Sequence, residues 1–70
     1  MGSIYKVIEI VGTSGDSWEG AATTAIVTAG KSLRDLRVAE VIKQDITIAE
    51  DGVPEAFRVR LSISFKYESE

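Results

Sequence analysis

Glu9, Glu19, Glu40 and Asp45 are the side chains of this 70-residue chain best suited to chemistry, and the chemistry open to them is hard-cation binding. Each stands inside a periodic segment rather than in a tail. Calcium takes about six to eight oxygen ligands at roughly 2.3–2.6 Å, and no stretch supplies that many locally. EDGVPE at 50–55 lacks the alternating acidic spacing of an EF-hand loop. A cation site would have to gather these acids across subunits, where a symmetry axis repeats each one. The competing reading of each acid is an ordinary surface or interface ion pair. Asp45 is the sharpest candidate because its run is rich in apolar residues. A lone carboxylate buried there would be costly without a cation or a Lys/Arg partner. Lys43, on the same predicted strand face, is the competing partner.

Other chemistries are closed or weak. The chain has no His and no Cys, which removes the usual general base, the usual zinc ligands and any disulfide. A non-catalytic protein is expected. Gly12–Thr13–Ser14–Gly15 has glycines ahead of a helix, but the lysine half of a phosphate loop is missing. Arg58, Arg60 and Lys66 alternate along one predicted face. Glu55 and Glu68 flank that row, no aromatic residue shares it, and the chain carries a net charge of −3. A solvated or intersubunit face is therefore expected, with no nucleic-acid partner. No apolar run reaches membrane-spanning length, so no membrane partner is expected either, and a cytoplasmic location is the default reading.

The elements that position these residues can be read from apolar periods. Residues 14–36 carry the helical one. At about 100° per residue, Trp18, Ala22, Ala25, Ala29, Leu33 and Leu36 share a narrow stripe, which Ala21 and Ile26 widen. Its alanines would let a sheet come close, with Trp18 and the leucines filling the ends. Trp18 is thus read as core. Ser14 is the expected N-cap, with Asp16 and Glu19 in the first turn and Lys31 and Arg34 near the C-terminal end. Gly20, Gly30 and a β-branched interior make a poor autonomous helix, which must be held by packing.

Three runs read as strands. In residues 4–11, Ile4, Lys6, Ile8 and Ile10 alternate with Tyr5, Val7, Glu9 and Val11. In 37–49, Val38, Glu40, Ile42, Gln44, Ile46 and Ile48 alternate with Arg37, Ala39, Val41, Lys43, Asp45 and Thr47. In 56–67, Phe57, Val59, Leu61, Ile63, Phe65 and Tyr67 oppose a polar set. Glu50–Asp51–Gly52 is the hairpin turn, Pro54 opens the last strand, and Glu68–Ser69–Glu70 is a polar tail. The predicted fold is α+β in the order β-α-β-β. Residues 1–70 form a single domain, with a three-stranded antiparallel sheet packed on one long helix. One helix covers one sheet face, yet both faces of the first strand are largely apolar. A chain this short, without disulfides or a structural metal, commonly turns to oligomerisation.

The words YKVIEIVGTS (5–14), SWE (17–19), SLRDLRVAEV (32–41) and RVRLSISFKY (58–67) closely resemble the dodecins, over nearly the whole chain. Gly12–Thr13–Ser14 at the helix start and the spacing Leu33, Leu36, Glu40, Val41 are the most specific parts. The resemblance implies a hollow homododecamer that stores a small ligand. Many dodecins stack flavins between tryptophans of related subunits. Here the stacking tryptophan falls at Val38, the ring-binding glutamine at Arg58, and an Arg-Gly pair of flavin binders at Asp45–Ile46. Gln44 lies beside them. A valine offers no π face, so flavin is disfavoured, although an arginine can still stack on a ring or hold a phosphate. The shared SWE, RVA (37–39) and VI-QD (41–45) are more similar to the calcium dodecin branch. The cargo this implies is calcium or a small anionic molecule held near Arg58, and further copies of the chain are the expected partner. The alternatives are flavin storage through an altered pocket, or a non-catalytic assembly scaffold.

Overall fold

The computed structural model describes residues 2–66; Tyr67 and the polar tail 68–70 lie outside them. The order is β1 (Tyr5–Ser14), α1 (Trp18–Gly30), β2 (Leu36–Ile48) and β3 (Pro54–Lys66). The three strands form one antiparallel sheet in the order β1-β3-β2, with α1 across one face, as the apolar periods predict. The β2–β3 turn closes on Gly52, whose φ of 84° suits the residue without a Cβ. Asp51 Oδ1 accepts the Val53 N–H at 3.1 Å.

The helix is shorter than its apolar period. It spans 13 residues, and its N-cap is Ser17, whose hydroxyl accepts the Gly20 N–H at 2.9 Å. Ser14 instead ends β1, and its hydroxyl accepts from Asp16 and Ser17 in the connecting turn. Both serines suit a cap, but only Ser17 has the acceptor in reach of the first free N–H groups once β1 is paired through residue 14. At the other end Lys31 is the C-cap, Arg34 lies beyond the helix, and no basic residue stands in the last turn. Leu33 follows the helix and Leu36 opens β2, yet Leu36 still packs against the core.

Packing is closest at the alanines. Ala21 and Ala25 are buried over Val59, Leu61 and Ile63 of β3, and these five are the buried apolar residues among those described. Gly12 of β1 lies beneath them. A Cβ there would collide with the Ala21 carbonyl and stand 2.9 Å from the Ala25 Cβ, so a side chain at 12 would push the helix off the sheet. Trp18, Ala22, Ile26 and Ala29 border the core, as the stripe predicts. The Trp18 ring meets Phe57 edge-on, centroids 5.1 Å apart.

The strand pattern breaks in β2. Val41 pairs with Leu61 and Lys43 with Arg60, so Ile42 is an extra residue opposite no partner. Strict alternation would put Val38 and Gln44 on one face. The bulge instead sends Gln44 to the helix side, opposite Val59, and puts Asp45 with Val38 and Glu40 on the outer face.

The subunit is elongated, 55 × 20 × 15 Å, with a radius of gyration of 14.6 Å. A compact chain of this length would have about 11 Å. The excess comes from the β2–β3 hairpin, which outruns the helix. Among the described residues eleven large apolar ones remain exposed, including Val7, Val11, Val38, Val41, Ile42, Ile48 and Val53. They lie on both faces and on the hairpin arm, as expected of a helix that shelters one face alone.

Candidate functional site

The outer face, opposite α1, holds the charged residues in cross-strand rows. Antiparallel register sets Glu9, Ser62 and Glu40 abreast, then Val11, Arg60 and Lys43, then Thr13, Arg58 and Asp45. Directly opposed residues share a face, so these three rows form one continuous surface.

Asp45 and Arg58 are joined by two hydrogen bonds. Arg58 Nε donates to Asp45 Oδ1 at 2.7 Å and Arg58 Nη2 to Oδ2 at 2.8 Å. This is the bidentate fork that guanidinium and carboxylate planes make best. The Arg58 hydrogen bonds, more than its charge alone, hold the Asp45 carboxyl below the usual carboxylate range, with smaller help from Lys43 and Arg60. Arg58 is in turn raised by Asp45. Neither side chain is buried, with 45% of Arg58 and 39% of Asp45 exposed. The partner of Asp45 is thus Arg58 and not Lys43, and the expected cost of a buried lone carboxylate does not arise. The sequence held a usable signal: Asp45 stands six positions before Asp51, and Arg58 six after Gly52. A hairpin folded at that dipeptide sets them opposite each other.

Around this pair lies a small cleft lined by Val11, Lys43, Asp45, Arg58 and Arg60. Arg60 Nη1 reaches Glu9 Oε1 at 3.4 Å, a looser contact. Beneath the cleft, on the helix side, the Trp18 indole Nε1–H donates to the Asp45 carbonyl at 3.2 Å. The tryptophan read as core therefore also anchors the backbone that carries Asp45.

The remaining candidates are distributed. Val38 is 61% exposed on the same outer face. It lies opposite Ser64, six residues along β3 from Arg58, or about 20 Å at strand rise. Gln44 is on the other face. Glu19 stands in the first turn of α1. Glu9 and Glu40 flank Ser62 two strand spacings apart, about 10 Å. Among the described residues no three carboxylates gather to hold a metal ion within one chain. No helix among them is long and apolar enough to cross a membrane.

A three-stranded sheet carrying one short helix, with its ionic groups on the face the helix leaves open, defines a small α+β binding module. The chain belongs to the dodecin family, whose profile matches residues 4–68. It is 48% identical over 64 residues to the calcium dodecin of Mycobacterium tuberculosis, covering 91% of this chain and 89% of that protein. It is 43% identical over 68 residues to the dodecin of Thermus thermophilus, covering 97% of each. The crystal structure of the calcium dodecin superposes with a TM-score of 0.84 at 46% identity, covering 97% of this chain and 96% of the other. The resemblance seen in the sequence, and the β-α-β-β fold it implies, are thereby established.

Proposed function

We propose that this chain is a non-catalytic storage protein that assembles into a hollow homododecamer and sequesters calcium between subunits. The observation that carries the reading is the uncovered face of the sheet. Glu9 and Glu40 stand there among Val7, Val11 and Val38, apolar residues that a stable subunit must hide against something. Further copies of the chain are the self-consistent cover, because both faces of this thin subunit need it.

Calcium is favoured by two things. The relative at 48% identity is a calcium dodecin, and its crystal structure is described as containing a novel calcium-binding site. The acids of one chain are too dispersed for a hard cation, so a site needs donors from several. Glu40, and Glu9 with only its looser 3.4 Å contact to Arg60, are the leading donors, since Asp45 is engaged by the tight Arg58 fork and Glu19 lies on the helix. Tryptophan-stacked flavin is disfavoured: Val38 offers no ring, and the Arg58 fork is occupied.

Light scattering on a sizing column tests the assembly. A mass near twelve times the 7.6 kDa of one chain is expected, and a mass near one chain would remove the shell. Calorimetry with calcium against a chelator-treated control tests the cargo. Heat that fades in Glu9→Gln and Glu40→Gln is expected; neither heat nor a thermal shift would remove calcium.

A further inference from the structure

We infer that Asp45 is a specificity-determining residue of the outer-face cleft: its carboxylate fills an oxyanion site built by Lys43, Arg58 and Arg60, and so closes it to oxyanion ligands. The inference goes beyond the calcium reading and stands if that reading fails.

Three cations and two carboxylates meet here, and the carboxylates are placed unequally. Asp45 takes Nε and Nη2 of Arg58 at 2.7 and 2.8 Å. Those are the donors that a phosphate or an external carboxylate would use for the same planar recognition. Glu9 engages Arg60 at 3.4 Å through a single nitrogen. Lys43 makes no ion pair among the described residues. Lys43 and Arg60 are also directly opposed across β2 and β3. Like charges in that position repel unless an anion stands near, and Asp45, beside both, is that anion. The cleft lies between these same side chains, with Val11 as its apolar wall. Asp45 therefore occupies, from within the chain, the place of an anionic ligand. Its backbone is fixed from the other face by the Trp18 indole, so the carboxylate stays where Arg58 can use it.

The test is titration of the whole assembled protein with inorganic phosphate, by calorimetry and by the fluorescence of Trp18, which is bonded to Asp45. Asp45→Asn should bind phosphate about tenfold or more tightly than the unaltered chain, because charge-assisted donors are released. Asp45→Glu, which keeps the charge, should stay within about twofold of the unaltered chain. Glu50→Gln changes the net charge equally but lies in the turn, and should gain nothing. Adding Arg58→Gln to Asp45→Asn should abolish the gain. If Asp45→Asn does not fold, Asp45→Ser carries the same comparison. A folded neutral variant that binds phosphate no better than the unaltered chain overturns the inference. So does an equal gain in Glu50→Gln, or a gain that survives loss of Arg58.

Discussion

Ile63 and Ile48 lie on the same hairpin, yet Ile63 is 1% exposed and Ile48 68%. They stand for two regions of one sheet. The β3 centre, with Val59, Leu61 and Ile63, lies under α1 and beside Gly12. The arm, with Ile46, Ile48 and Val53, runs past the end of the helix. An apolar side chain records a need for cover. It does not say whether that cover comes from its own chain or from another. In this subunit the first region has been satisfied locally and the second has not.

The contrast can be tested from its strongest side first. Leu61→Ala removes a fully covered side chain from a core of five, and should cost about 2–5 kcal/mol. Its denaturation midpoint, at matched protein concentration, should fall steeply; a midpoint within error of the unaltered chain would show that β3 is not the core. Gly12→Ala should destabilise by about 1–3 kcal/mol through overpacking against Ala21 and Ala25. An unchanged melting temperature would mean the helix is free to lift. Ile48→Asp should alter the fold of the subunit little, by about 0.5 kcal/mol or less. Its effect should appear as a lower mass by light scattering, and an intact assembly would show that the arm is not a contact. The smallest effect belongs to the exposed Asp45–Arg58 pair. Asp45 titrates lower in the folded chain than in the unfolded one, where a value of about 3.9 applies. The folded chain thus binds fewer protons, and the pair's contribution is fully present above that unfolded value. It is lost as pH falls through the folded one. Asp45→Asn should flatten that limb of the acid-unfolding curve, and an identical limb would show that the pair contributes nothing.

The order β-α-β-β, the hairpin turn and the alanine stripe were all legible, because each follows from a short-range period or a turn residue. What was not legible depends on neighbours. Ser14 and Ser17 are equivalent caps on local grounds, and the length of the β1–β3 ladder chooses between them. Ile42 looks like one more alternating residue of β2, since nothing in its type marks a bulge. For the charged face, residue types gave the candidates but not their grouping. Residue type alone assigns Asp45 and Arg58 separate roles, while the hairpin geometry makes them one unit.

That bulge has a further consequence. Val38 and Asp45 are seven positions apart in β2, an odd count that would normally turn them to opposite sides. The surplus residue at 42 restores parity, and so one ribbon presents both on the same face. Deleting Ile42 would remove the bulge and leave each later side chain on its present face, since Val38 and Asp45 would then stand six positions apart. A further one-residue change within the paired run would act as a change of phase, whereas at a strand's end it would act only as a change of reach.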